Sequence, residues 1–178
     1  MKFSIIAAVD KKNGLGKNNT LVWKLPSDMK FFSDVTTQTA RSGLRNAVIM
    51  GRNTWESLPP KHRPLKNRLN LILSRSTDLK LPEGTPAATS LNEALEKLEN
   101  DKTIDQIFVI GGAMLYAEAI HHPECEKIYL TRLEQEFDCD VFFPAIDETM
   151  FTVTDRSGMK HENGIDFEFI TYQKKRPA

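Results

Sequence analysis

Asp28 is the acid whose neighbours give it something to do. It lies in the run Trp23-Lys24-Leu25-Pro26-Ser27-Asp28-Met29-Lys30-Phe31-Phe32. Proline near the first helical position and an acid in the first turn mark a helix start near Pro26. In such a helix Asp28 and Phe32 are four apart and share a face. A carboxylate beside Phe32 and near Trp23 loses part of its hydration, which raises its pKa unless a partner donates hydrogen bonds. Two roles fit: a first-turn acid that stabilises the helix dipole, or a lone acid that pairs with an amidine-like ring edge of the kind a pterin offers. The run by itself leaves both open.

Three further segments place anion-binding chemistry at the ends of buried strands. Val48-Ile49-Met50-Gly51-Arg52-Asn53-Thr54-Trp55 takes a strand through glycine into a helix start, where free amides and Arg52 would favour an anion. Leu71-Ile72-Leu73-Ser74-Arg75-Ser76 ends a strand in hydroxyl, guanidinium and hydroxyl, a set that suits a phosphate monoester. Phe108-Val109-Ile110-Gly111-Gly112-Ala113-Met114-Leu115-Tyr116 puts two glycines where backbone can approach a ligand closely. Each alone also reads as an ordinary turn or a solvated arginine, and none is a GxGxxG fingerprint. Together they suggest a dinucleotide lying across the carboxyl edge of an open α/β sheet. Arg75 would meet a phosphate on the adenosine ribose, which favours NADP over NAD.

The elements that must position these groups follow from hydrophobic patterning. Short apolar runs at 3–9, 47–50, 69–73, 106–110, 127–133, 151–154 and 167–172 read as strands, several apolar throughout, as in a sheet covered on both faces. Helices are expected from Pro26, after Gly51, from Ser90 to about Leu98 and after Gly112. Ser90-Leu91-Asn92-Glu93 reads as a capping box in which Ser90 and Glu93 serve each other's amides. The fold class is therefore α/β: a mixed, mainly parallel sheet flanked by about four helices, with an antiparallel hairpin near 158–164 at one edge. The 178 residues suit one domain over 1–178. Twenty-four basic and 24 acidic residues cancel, so no general attraction to nucleic acid or anionic membrane is expected. Apolar content of 40% and charged content of 27% are ordinary for a globular chain. Cys125 and Cys139, without CxxC spacing, read as reduced, incidental thiols, and no metal site is indicated. The apolar start at 3–9 ends in Asp10-Lys11-Lys12 and is too short for a membrane span. A cytoplasmic location is expected.

Several blocks closely resemble dihydrofolate reductases: Asn13-Gly14-Leu15-Gly16-Lys17-Asn18, Leu21-Val22-Trp23-Lys24-Leu25-Pro26-Ser27-Asp28, residues 48–55, Arg63-Pro64-Leu65-Lys66-Asn67-Arg68, Leu73-Ser74-Arg75, residues 109–116, Thr131-Arg132 and Asp140-Val141-Phe142-Phe143-Pro144. They occur in family order over nearly the whole chain, and residues 59–68 look more like eukaryotic members. The resemblance implies an eight-stranded sheet. It also implies that Asp28 hydrogen-bonds the pterin, supported by Thr131, with Trp23 and Tyr116 in the catalytic group. Ile6, Ala7, Leu21, Phe32, Leu58, Leu65 and Ile110 would line the substrate pocket, and Arg68 would grip the substrate's glutamate α-carboxylate. Cofactor contacts would come from Ala8, Gly14, Leu15, Gly16, Gly51, Arg52, Asn53, Thr54, Leu73, Ser74, Arg75, Ser90, Gly111, Gly112, Ala113, Met114, Leu115 and Tyr116. The Gly111-Gly112 bond matches a cis peptide of the family. The main departure is Val22, where most members have proline in the loop over nicotinamide; Asn19-Thr20 also departs from the commoner Gly-Asp type of pair. Losing proline frees φ and loosens that loop.

The reaction so implied is hydride transfer from NADPH to dihydrofolate by a monomer, with a water protonating N5. Two rivals stand beside it. One is a same-fold pteridine or pyrimidine reductase of flavin biosynthesis, which Arg68 and residues 23–28 disfavour. The other is a non-catalytic NADPH-binding scaffold.

Overall fold

The computed structural model describes residues 1–76 and 78–176. Its strands are β1 (Phe3–Val9), β2 (Gly14–Gly16), β3 (Arg45–Gly51), β4 (Arg68–Leu73), β5 (Ala87–Ala88), β6 (Ile104–Val109), β7 (Cys125–Leu133), β8 (Val141–Phe142), β9 (Phe151–Arg156), β10 (Lys160–Glu162) and β11 (Ile165–Lys174). The helices are α1 (Pro26–Thr37), α2 (Arg52–Ser57), α3 (Leu91–Asn100) and α4 (Ala113–Ala119), with a 3-10 turn at Pro60–His62.

Alternation along β1 shows why the sheet is central. Phe3, Ile5, Ala7 and Val9 enter one buried cluster with Ala47, Ile49, Leu69 and Leu71. Ile6 enters the cluster on the other face, with Val48, Met50, Ile72 and Phe108. A strand apolar on both faces needs cover on both, and α3 supplies part of it through Leu91, Ala94, Leu95 and Leu98. That spacing is one stripe of a helix.

The main sheet runs β10-β11-β7-β1-β6-β3-β4-β5, with β9 also paired to β11. From β7 to β5 neighbours are parallel; β11 pairs antiparallel with β7, β9 and β10. The mixed, mainly parallel α/β architecture with an antiparallel edge is thus present. The ninth strand arises because β9 and β10 divide the outer edge of β11 between them. The tight hairpin is β10–β11, turning at Asn163-Gly164, while β9 pairs farther along β11. A separate two-stranded sheet joins β2 to β8. Strands β2, β5, β8 and β10 span two or three residues, too short to leave a periodic signal.

One local expectation is corrected. Ser90 Oγ accepts from the Glu93 amide at 3.2 Å, but the Glu93 carboxylate accepts from the Thr89 amide and hydroxyl, each at 2.7 Å, not from Ser90. The reciprocal bond has moved one residue outward. No helix among the described residues is long and apolar enough to cross a membrane.

Candidate functional site

Asp28 is 8% exposed, on the first turn of α1. Thr131 Oγ1 donates to Asp28 Oδ1 at 2.6 Å. Thr131 lies on β7 opposite Ala8 of β1 and Phe169 of β11. Burial pushes the Asp28 carboxyl above its ordinary value; the Thr131 hydrogen bond opposes this, and the Glu162 charge adds to the rise. Asp28 is therefore more than a solvated dipole acid, because the fold holds it out of water against a hydroxyl. Trp23 is buried beside Phe137, ring centroids 5.5 Å apart. Its indole Nε1 is buried and donates to no acceptor among the described residues.

The strand ends also meet. The Gly51 amide donates to the Gly111 carbonyl at 2.8 Å, and Gly51 pairs with Leu73. The Ser74 amide donates to Ala88 O at 2.9 Å, which carries Ser90, the α3 N-cap, to the same edge. The Gly111-Gly112 bond is cis. A Cβ on Gly112 would stand 3.2 Å from Thr54 Oγ1, and one on Gly111 3.2 Å from the Tyr116 ring. Tyr116 is buried and donates to the Ile6 carbonyl at 2.7 Å. Burial first, and then the Asp28 charge, push its phenol well above the usual range. The strand-end corner and the Asp28 carboxylate thus share β1 and Tyr116 as a common wall.

Arg52 Nε is engaged by Glu56 of its own helix at 2.7 Å, so part of its charge is already answered. Arg75 and Asn53 are exposed. Met114 is 86% exposed, while Leu115 turns into the core. The side chain of Ala7 likewise enters the cluster opposite Ile6, as strand alternation requires. Leu15 also packs against the core.

Ile6, Phe32, Leu58, Leu65 and Ile110 gather in one apolar cluster, and Leu21 is 53% exposed. Arg68 is half-buried with its charge centre 5.8 Å from the Phe32 ring centroid. Its Nε donates to Lys66 O at 2.9 Å and one Nη to Thr36 Oγ1 at 2.8 Å. No carboxylate among the described residues lies within ion-pair distance of Arg68. Burial lowers its pKa, so the guanidinium is pre-oriented, partly desolvated and short of an anion.

The loop after β2 is fastened at both flanks. Gly14 and Gly16 are required there, since added Cβ atoms would lie 2.5 Å from Cys139 Sγ and 2.3 Å from Thr20 O. Asn18 and Asn19 take positive φ of 49° and 59°, closing the Lys17–Thr20 turn. Asn18 N donates to Asp140 Oδ2 at 3.0 Å, Lys17 pairs with Asp138, and Asn19 Nδ2 donates to Asn53 O at 2.9 Å. Val22 packs with Trp23, Leu133 and Phe167; a β-branched apolar side chain there adds core contact where proline would have added stiffness.

Sequence reasoning gave no role to Asp10, Thr36, Asp140 or Glu162. Asp10 is 1% exposed and accepts from the Lys12, Gly14 and Phe137 amides. Apart from Asp10, whose partners Lys12 and Gly14 are close in sequence, these residues act mainly on distant partners, so no local spacing reveals them. Cys125 and Cys139 are free thiols; burial pushes the Cys125 thiol up to about 12.

A family model for dihydrofolate reductase matches residues 2–174. The chain belongs to the dihydrofolate reductase family. It is 39% identical to the dihydrofolate reductase of Heliothis virescens and 37% to that of Drosophila melanogaster, covering 98% of both chains in each case. Among solved structures, Schistosoma mansoni dihydrofolate reductase superposes with a TM-score of 0.86 at 38% identity, covering 98% of this chain and 99% of that one. The bifunctional dihydrofolate reductase-thymidylate synthase of Glycine max is 40% identical over 99% of this chain. The chain spans about a third (34%) of the length of that bifunctional relative.

Proposed function

We propose that this chain reduces 7,8-dihydrofolate to 5,6,7,8-tetrahydrofolate with NADPH. The observation that carries the reading is the Thr131–Asp28 hydrogen bond, buried beside the wall that Tyr116 shares with the Gly111-Gly112 corner. An amidine-like ring edge is what such an acid can recognise, because it offers two parallel N–H donors to one carboxylate.

The residues present fit a phosphorylated dinucleotide. Glycine at 112 keeps open a corner that a Cβ would crowd at 3.2 Å, and hydroxyls and guanidinium groups stand at the neighbouring strand ends. Main-chain groups of Gly51, Gly111 and Gly112, with Thr54, Ser74, Arg75 and Arg52, would hold it. Bound NADPH supplies the hydride that pterin C6 receives, leaving NADP+.

Asp28 binds and orients the pterin amino group and ring nitrogen, and Thr131 holds that carboxylate in place. Ile6, Phe32, Leu58, Leu65 and Ile110 exclude bulk water and press the ring into a near-attack position. Arg68 takes the substrate's α-carboxylate, a bidentate role that suits a planar fork. Asp28 orients and polarises the ring and does not protonate N5 directly, and the apolar wall offers no side-chain donor, so N5 takes its proton from water. The same reading has the reaction run by a monomer in the cytosol, where reduced thiols such as Cys125 and Cys139 persist.

The test follows absorbance at 340 nm with dihydrofolate and either NADPH or NADH. Rapid loss with NADPH and much slower loss with NADH is expected. Replacing Arg75 with Ala should cost NADPH about 1.5–3 kcal/mol more than NADH, through one charge-assisted contact. Consumption only with aminopyrimidine substrates would favour a flavin-biosynthesis reductase; NADPH binding without consumption would leave a scaffold.

A further inference from the structure

The first turn of α1 has no cap of its own. Leu25 occupies the N-cap position and its side chain can accept nothing, although the first amides of any helix lack intrahelical partners. The missing acceptor arrives from the far end of the chain. Glu162 Oε1 accepts from the Ser27 amide at 2.9 Å, and its other oxygen accepts from the Ser27 hydroxyl. The next residue, Asn163, donates through Nδ2 to the Lys24 carbonyl at 3.1 Å. Asn163 and Gly164 have positive φ of 52° and 75°, the backbone of a tight two-residue hairpin turn. That turn sets Glu162 and Asn163 beside the chain that carries Trp23 and Asp28. On the same β10–β11 hairpin, Phe169 stacks on Phe31 of α1 with ring centroids 4.1 Å apart and pairs in register with Thr131.

We propose that Glu162 is a positioning residue of the reductase site: by capping α1 from the C-terminal hairpin, it fixes Asp28 against Thr131 at the distance pterin binding needs. The inference rests on the pterin-binding role given to Asp28 above. A hydrogen bond of 2.6 Å between α1 and β7 tolerates little sliding of one element over the other. The Phe31–Phe169 stack sets the spacing of the two layers but not the rotation of the helix start. A two-oxygen grip on one residue's amide and hydroxyl, one position before Asp28, does set it. A negative group at a helix N-terminus also favours the helix.

The test uses the full chain with Glu162→Ala, Ser27→Ala, the double variant and Glu162→Gln. Asp166→Ala serves as control, because it removes a different contact of the same hairpin, the His161–Asp166 pair. Glu162→Ala should raise KM for dihydrofolate about tenfold and weaken 2,4-diaminopyrimidine binding in parallel; Ser27→Ala, which keeps the amide contact, should do the same to a smaller extent. The kcat should stay within about twofold, and KM for NADPH should not move. The double variant should be no worse than Glu162→Ala alone, since Ser27→Ala removes only the hydroxyl half of the grip that Glu162→Ala removes whole. Glu162→Gln keeps an oxygen for the Ser27 amide and should recover most of the loss. Unchanged KM and diaminopyrimidine affinity in Glu162→Ala, at whatever melting temperature, would overturn the proposal. So would equal rises in KM for both substrates, or a Gln variant as poor as Ala. Failure of the wild type to consume NADPH with dihydrofolate would overturn the reductase reading itself, and this inference with it.

Discussion

Asp28 shows the cost of building a site out of a buried acid. Burial holds its carboxyl above the ordinary aspartate value, more than the Thr131 hydrogen bond lowers it. A folded-state pKa above the unfolded one means that folding favours the neutral acid. That contribution is fully present below about pH 4, the ordinary aspartate range, and is lost as pH rises through the raised folded value. At neutral pH the ionised Asp28 therefore works against the fold. Asp28→Asn keeps the shape and an oxygen for Thr131 but carries no charge. It is expected to melt a few degrees above the wild type at pH 7.5, on the scale of about 2–4 °C per kcal/mol, with the gap closing as pH falls to about 4. Scanning calorimetry at the two pH values checks this, and an equal or inverted gap at pH 7.5 would contradict it. At this scale the residues legible in the sequence were those whose meaning lies in near neighbours: Asp28 beside Phe32, and Ser90 ahead of Glu93. Arg68 was legible only through its family block. Glu162 and Thr36 were not legible, because Glu162 meets Ser27 across the fold and Thr36 meets Arg68.

At the scale of elements, the sheet's carboxyl edge does the positioning. β3, β4 and β6 end side by side, and the Gly51–Gly111 hydrogen bond closes two of those ends into one corner. Gly112 is the place to probe it. A Cβ there would lie 3.2 Å from Thr54 Oγ1, close enough that the hydroxyl must give way and the corner narrows. Gly112→Ala is expected to raise KM for NADPH about tenfold and to lower stability by about 1 kcal/mol. KM for dihydrofolate should change little. Steady-state kinetics with each substrate varied in turn would show the split, and equal effects on both would place the corner elsewhere. The strands and helices that build this edge were readable because each is long enough to show its period. β2, β5, β8 and β10 were not, since two or three residues carry no alternation. The Glu93 side chain bonded Thr89 instead of Ser90, because the extended backbone before α3 brings that amide within reach too.

The whole molecule has no net charge, with 24 basic and 24 acidic side chains, so selectivity for anionic ligands must come from local arrangement. Residues spread from Ile6 to Thr131 converge because a mainly parallel sheet returns each strand to the same edge by way of a helix. The proposed chemistry depends most on a carboxylate out of water that holds the substrate ring. The measurement that bears on it most directly is kcat/KM for dihydrofolate in the wild type and Asp28→Asn, from pH 5 to pH 8. Loss of two charge-assisted hydrogen bonds of about 1.5–3 kcal/mol each predicts a fall of about 100-fold or more at neutral pH in the Asn variant, with weakened folate binding. Near-wild-type turnover across the whole range would contradict it.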